Sequence, residues 1–231
     1  MKNILLIAGI ASLLVACGQT ETSAPAAAPA ADIAFTDDED RVLYALGVAL
    51  GENIADFRLT DEELAFVTAG IRDVVADVPY RVDMELYGVQ IQRLANERLS
   101  LALEEEKAAS ANFAAEVAAE PGAETFPSGL VLVPITEGDG ANPTADDRVT
   151  VHYHGTLRDG SVFDSSVDRG EPATFQLRGV IACWTEGVQK IKVGGKAKLL
   201  CPSPIAYGDN GPPGIPGGAA LLFEVELLSI E

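Results

Sequence analysis

Two histidines are the residues of this chain whose type and spacing come closest to metal or acid–base chemistry. His152 and His154 stand two positions apart, and this spacing places both side chains on one face of an extended strand. A zinc site needs three or four protein ligands, and the pair supplies only two. We therefore predict a solvent-facing strand here, with neither a bound metal nor a cofactor.

The C-terminal half of the chain has the alternating pattern of an antiparallel sheet. Apolar and polar residues alternate over residues 149–154 and again over Leu221–Leu227. Glycine pairs and the glycine-rich stretch Gly211–Gly218 supply turns between them. The one helical candidate is the short segment Thr185–Lys190. The pattern predicts a β domain crossed by a single short helix.

Five segments of this half resemble the FKBP family of peptidyl-prolyl cis/trans isomerases in order and spacing. They are Val151–Leu157, Gly160–Ser166, Gly187–Gly195, Ile205–Gly208 and Leu222–Leu227. The resemblance implies an FKBP-type isomerase domain over residues 125–231. It also implies an enzyme that rotates the partial double bond of an X–Pro amide, which needs no nucleophile and no metal.

The resemblance further implies a proline pocket with aromatic walls and floor, which suits a compact apolar pyrrolidine ring. Asp164 and the Tyr207 hydroxyl are expected on its polar side, and the backbone N–H of Ile181 is expected to hold the substrate carbonyl. Taken singly, each aromatic residue would be assigned to the core and Asp164 to a turn, but their shared spacing favours the pocket. The residues expected to bind substrate are Tyr153, Phe163, Phe175, Val180, Ile181, Trp184, Tyr207, Ile215 and Phe223.

Three positions depart from the family pattern. Ala173 stands where some members have a second aromatic residue, which leaves open whether Phe175 fills the pocket. Pro212 stands where other members have polar or aromatic residues, so the preference for the residue beside proline is open. Cys183 occupies a position where glycine is common.

Residues 32–120 have the pattern of helices. Capping boxes at Thr36–Glu39 and Thr60–Glu63 precede apolar residues spaced three and four apart, and a third helix is predicted from Asp83 towards Ala119, with a break. The acidic run Glu104–Glu106 is predicted to be a solvated helix face. The expected fold class is therefore α+β, with a helical domain followed by an antiparallel sheet wrapped around one short helix.

The apolar stripe of the third helix is broader than two short helices can cover. This surplus favours a homodimer through the N-terminal helices, and the alternative is a monomeric bundle packed against the second domain. The stripe consists of Met84, Tyr87, Ile91, Leu94, Leu99 and Leu103, widened by Leu86 and Val89.

The first residues resemble a bacterial lipoprotein signal. Lys2 precedes an apolar stretch that ends in Leu14-Val15-Ala16-Cys17, which is similar to a lipobox. The resemblance implies a signal peptide over residues 1–16, lipid on Cys17, and a flexible tether over residues 17–31. Gly18 rather than Asp follows the cysteine, which favours the outer membrane. The alternative is an ordinary secretory signal with an incidental cysteine.

Lipid on Cys17 leaves Cys183 and Cys201 as an even pair in an oxidising compartment, which predicts a disulfide between them. The alternative is two buried core thiols.

The charge balance limits the possible partners. Sixteen Lys and Arg against 35 Asp and Glu give a formal net charge of −19, which disfavours nucleic-acid binding. With its helical region and lipobox, the whole chain resembles the FkpA and Mip group of periplasmic FKBP isomerases, whose N-terminal helices form a dimer. The resemblance implies an isomerase that assists the folding of exported, proline-containing proteins and shields partly folded chains. A holdase chaperone or proline-peptide binding module with little isomerase activity is the alternative.

Overall fold

The computed structural model describes residues 33–231. The predicted signal peptide, the lipid site predicted at Cys17 and the predicted tether lie outside the described residues. No helix among residues 33–231 is both long enough and apolar enough to cross a membrane.

Three α-helices lie in the described N-terminal part: α1 (Asp38–Ile54), α2 (Asp61–Val75) and α3 (Met84–Ala118). The capping box predicted at Thr60–Glu63 is present at the start of α2. The cap of α1 lies one residue later than predicted, because the Asp37 side chain accepts the Asp40 N–H while Thr36 donates to the Asp40 carboxylate. The predicted break in the third helix is wrong, since α3 continues through 35 residues.

The N-terminal helices leave their apolar residues uncovered in the single chain. Helices α1 and α2 contain no buried residue. On α3, Tyr87 is 52% exposed, Ile91 50% and Leu94 39%. The apolar stripe of α3 is therefore available to a partner.

The C-terminal half forms an antiparallel sheet. Its strands in the described chain are β1 (Glu124–Thr125), β2 (Val131–Thr136), β3 (Arg148–Thr156), β4 (Val162–Ser165), β5 (Ala173–Gln176), β6 (Lys196–Cys201) and β7 (Leu221–Ile230). Their order is β1-β2-β6-β7-β3-β4, and β5 pairs with the first half of β3. In the central pair, Tyr153 lies opposite Val225 and His152 opposite Glu226. Burial alternates along both strands, as the sequence pattern predicts.

Two short α-helices belong to this half. Helix α4 (Ser166–Arg169), which the sequence pattern did not predict, is capped by Ser165 and ended by Gly170 at φ 73°. Helix α5 (Ala182–Val188) packs against the buried face of the sheet through Trp184 and Val188. The predicted start at Thr185 is wrong by three residues, because the helix already includes Ala182.

The end of α3 covers part of the opposite face of the sheet. Its contact forms a second apolar cluster, made of Val117 with Val131, Val133, Leu200 and Ala220. This cluster crosses the boundary predicted between residues 120 and 125. The last turns of α3 therefore contribute to the core of the C-terminal half.

Cys183 of α5 and Cys201 of β6 are bonded through their sulfur atoms in the structure, with Cα atoms 5.6 Å apart and both residues fully buried. We expect no free thiol in an unreduced, denatured chain that begins at Asp32. Such a bridge closes a short loop and should contribute roughly 3 kcal/mol to the free energy of unfolding. Thiol titration in denaturant measures this directly, with the reduced chain as the control that titrates two thiols. If the unreduced chain titrates two thiols, Cys183 and Cys201 are free buried thiols and the disulfide is absent.

Candidate functional site

A cleft of about 300 Å³ opens between the buried face of the sheet and α5. It brings together most of the residues predicted to form a proline pocket, from β3, β4, β5, β7, α5, the segment before α5 and the segment after β6. Its lining is Tyr153, Phe163, Asp164, Phe175, Gly179, Val180, Ile181, Trp184, Tyr207 and Phe223. Phe175, whose place was open from the sequence, lies in this lining.

The floor of the cleft is an edge-to-face cluster of aromatic rings around Trp184. Its indole lies 5.3 Å from the Tyr153 ring, 5.6 Å from Phe175 and 5.3 Å from Phe223, measured between ring centroids. Interplanar angles of 82° to 86° give the edge-to-face geometry that aromatic pairs prefer. The buried indole N–H has no hydrogen-bond partner among the described residues. The floor is therefore a packed aromatic surface that holds one unpaired N–H donor.

Gly155 lets two walls of the cleft meet over β3. A Cβ atom built on Gly155 would lie 2.7 Å from Cζ of Phe163 and 3.1 Å from Cδ1 of Phe223. Only a glycine leaves room for these rings, which contact each other edge to face at 5.4 Å. The glycine of the His-Gly-Thr segment thus sets the shape of the cleft.

The polar side of the cleft is a network of three side chains. The Tyr153 hydroxyl donates to Oδ2 of Asp164 at 2.5 Å. Arg169, in α4, pairs with the other carboxylate oxygen and donates to the Tyr153 hydroxyl at 2.9 Å. Its guanidinium also lies 5.6 Å from the centre of the Tyr153 ring. The carboxylate is therefore held in one orientation from two sides.

This network fixes the protonation states of its members. Burial raises the pKa of Asp164, but the hydrogen bonds from Tyr153 and Arg169 outweigh burial, so the pKa lies below its ordinary value. Burial and the hydrogen bond to Asp164 raise the pKa of the Tyr153 phenol. The hydrogen bonds to Tyr153 and Asp164 raise the pKa of the Arg169 guanidinium. At neutral pH the cleft thus holds an ionised carboxylate and a protonated phenol.

Two further residues of the cleft lining carry hydrogen-bond donors. Ile181 precedes α5, and its backbone N–H makes no hydrogen bond to another described residue. Tyr207 follows β6 and is 41% exposed, which places its phenol at the rim. Both can donate to a ligand carbonyl.

Ile215 is the predicted site residue that the cleft does not include. It lines a neighbouring cavity with Pro212, Pro213 and Gly214, and that cavity shares Phe163, Asp164 and Tyr207 with the cleft. Conversely, Gly179 and Arg169 were not predicted. The spacing around Asp164 gave no signal for Arg169, because a turn of α4 brings the two side chains together.

The two histidines lie on the face of β3 that points away from the cleft. Nδ1 of His152 is 3.2 Å from the Ser166 hydroxyl, and Nδ1 of His154 is 2.9 Å from the Ser165 hydroxyl. No group of three or more potential ligand side chains is placed to hold a metal ion within residues 33–231.

Comparison with known proteins identifies relatives of both halves. The family described as "FKBP-type peptidyl-prolyl cis-trans isomerase" matches residues 140–228. The family described as "Domain amino terminal to FKBP-type peptidyl-prolyl isomerase" matches residues 39–132.

Whole-chain relatives agree with these matches. The isomerase FkpA of Escherichia coli K12 is 36% identical, over 91% of this chain and 83% of the relative. FkpA of Aeromonas hydrophila is 37% identical, over 100% of this chain and 94% of the relative. The crystal structure of FkpA from Escherichia coli has a TM-score of 0.66 at 35% identity, covering 86% of this chain and 99% of that chain. The predicted fold class, helices followed by an antiparallel sheet, is confirmed.

Proposed function

The chain belongs to the FKBP-type peptidyl-prolyl cis-trans isomerases, and we propose that the cleft around Trp184 is the site where it rotates the X–Pro amide. The observation that carries the assignment is the aromatic floor beside a fixed carboxylate. A pyrrolidine ring fits a compact aromatic cage, and the cleft volume of about 300 Å³ suits one proline with its flanking peptide bonds.

The apolar floor supports catalysis by desolvation. A planar amide is strongly polar because of resonance, and it loses part of this polarity when it twists. Moving the prolyl amide from water to the aromatic floor therefore destabilises the planar state more than the twisted state. This difference lowers a barrier of about 18 to 20 kcal/mol without any covalent step.

The polar groups add orientation to this effect. The Ile181 N–H holds the carbonyl that precedes proline, and the Tyr207 hydroxyl at the rim supplies a second donor. Asp164 presents a fixed negative charge on the polar side of the cleft, because Tyr153 and Arg169 hold both its carboxylate oxygens. Dipoles that are already oriented do not have to reorganise as the amide twists.

An isomerisation assay on a short proline peptide tests this function. We expect the full chain to accelerate an exchange that takes tens of seconds without a catalyst. Trp184 is the single tryptophan of the chain, so its fluorescence reports peptide binding in the same sample. Binding without acceleration would identify a proline-peptide binding module or holdase instead of an enzyme.

The apolar stripe of α3 supports a homodimer of this chain. Exposed apolar side chains along several helical turns are typical of an interface, and the N-terminal family matches over the same helices. Two sites in one dimer would let a client protein stay bound while its prolines reach a pocket. This arrangement would suit proline-containing unfolded or partly folded exported proteins.

The sequence of the N-terminus supports a periplasmic location, at the outer membrane, for this dimer. A lipid on Cys17 and a tether over residues 17–31 would hold it at the periplasmic face of the outer membrane. The predicted disulfide between Cys183 and Cys201 suits this oxidising compartment.

A further inference from the structure

One turn of α3 contacts three separate segments of the isomerase half. Its residues Glu106, Lys107 and Ser110, here called the α3 clamp, contact the turn after β3, the loop after Tyr207 and the residue before β7. None of these residues lines the cleft around Trp184. The segments that they contact, however, lead directly to cleft residues.

Glu106 contacts the turn between β3 and β4. Its carboxylate accepts from Nε and Nη2 of Arg158 at 3.1 to 3.3 Å, and its side chain is only 15% exposed. The solvated face predicted for Glu104–Glu106 is therefore wrong at this residue. The turn closes on itself through the Leu157 N–H and the Ser161 carbonyl at 2.9 Å, and β4 follows with Phe163 and Asp164.

Lys107 contacts the loop that follows Tyr207. Its ammonium lies 2.9 Å from Oδ1 of Asp209. The end of the loop lies against the same turn of helix, since a Cβ atom built on Gly218 would be 2.8 Å from Cγ of Lys107 and 3.1 Å from Cδ1 of Leu103. The Gly218 N–H also donates to the Gly208 carbonyl at 2.9 Å. The helix and this hydrogen bond together fix both ends of the loop beside Tyr207.

Ser110 contacts Ala220, the residue that precedes β7. Its hydroxyl accepts the N–H of Ala220 at 2.8 Å and lies 3.2 Å from the Glu106 carboxylate. Ser110 is 6% exposed and Ala220 is 1% exposed, so no water can replace this acceptor easily. Phe223, a wall of the cleft, follows three residues later.

We propose that the α3 clamp positions Phe163, Asp164, Tyr207 and Phe223, so that the last turns of α3 are a working part of the isomerase site. The proposal rests on the proposed function, because it assigns positioning residues to that site. It makes the geometry of the cleft depend on a helix that also carries the apolar stripe of the N-terminal half.

Kinetics of the full chain test the clamp at Ser110. Replacing Ser110 with alanine leaves the buried Ala220 N–H without its acceptor, and we expect kcat/KM for a short proline peptide to fall about fivefold to tenfold. Most of this loss should come from a lower kcat and little from a higher KM, because Tyr207 and Asp164 act on the twisted amide. Ser110→Thr keeps the hydroxyl and should stay within about twofold of the wild type.

A second variant changes a partly exposed residue instead of the buried Ser110. Lys107→Met keeps the length of the stem and removes the charge, and we expect about a twofold to threefold loss of kcat/KM that high salt reproduces in the wild type. Arg93→Met is the matched control, because Arg93 pairs with Glu97 on the exposed part of the same helix.

Thermal unfolding followed by Trp184 fluorescence separates positioning from stability. A lower melting temperature with unchanged kcat and KM in Ser110→Ala and Lys107→Met would overturn the proposal, since α3 would then only stabilise the fold. An inactive wild type would instead reject the proposed function itself.

Discussion

Replacing Phe163 with alanine should lower kcat/KM for a short proline peptide by roughly thirtyfold, equivalent to about 2 kcal/mol. The Phe163 ring forms one wall of the cleft, contacts Phe223 edge to face at 5.4 Å and closes over Gly155. Its removal opens the cleft to water, so both proline binding and desolvation of the amide weaken. KM should rise and kcat should fall.

Asp164→Ala should give a smaller loss, about tenfold and mainly in kcat. The aromatic floor and its desolvation remain, but the fixed charge is gone and Arg169 loses its partner. Val167→Ala is the matched control, since Val167 lies in the neighbouring helix α4 with 55% of its surface exposed. Steady-state kinetics on the same peptide measure all three variants. An unchanged rate in Asp164→Ala would remove this residue from the catalytic assignment.

Local patterns in the sequence predict much of the isomerase half. Alternation over residues 149–154 and Leu221–Leu227 predicts two strands, because a strand with one buried face repeats every two residues. The structure pairs these two strands as neighbours. The floor of the cleft could be predicted only through the family resemblance. An aromatic residue such as Trp184 has the same local pattern whether it fills a core or lines a pocket.

These local patterns could not predict contacts between segments that are distant in the sequence. Arg169 meets Asp164 because the single turn of α4, which ends at Arg169, follows β4 directly. Four residues are too few for a periodic signal. The contact from Glu106 to Arg158 spans 52 positions and joins a helix to a turn. An acidic run on a helix has the same composition whether it faces water or a distant arginine.

The helical half shows a related limit. The three- and four-residue apolar spacing predicts a helix that begins near Asp83, and in the structure Asp83 is the N-cap of α3. The predicted break failed because the alanine-rich stretch before Ala119 has high helix propensity and its last turns pack on the sheet. Tertiary contact thus extends a helix that its apolar periodicity alone would have divided.

A charge placed in the apolar stripe of α3 should separate isomerisation of short peptides from assistance to protein refolding. We expect the wild type to sediment as a dimer at micromolar concentration and Leu94→Glu as a monomer, because an unpaired carboxylate is costly to bury. Its kcat/KM on a short proline peptide should stay within about twofold, since the cleft and the α3 clamp are unchanged.

The same variant should accelerate the refolding of a client protein limited by X–Pro isomerisation about tenfold less, or more weakly still. The reason is that the dimer raises the effective concentration of the second site for a bound client. Gln92→Glu is the matched control, since it adds the same charge two residues away, on a different side of the helix from Leu94. Sedimentation, the peptide assay and the refolding assay on one preparation decide the outcome. If Leu94→Glu is monomeric and still refolds the protein at the wild-type rate, client binding does not need the dimer. If the wild type is already a monomer, the stripe needs another partner.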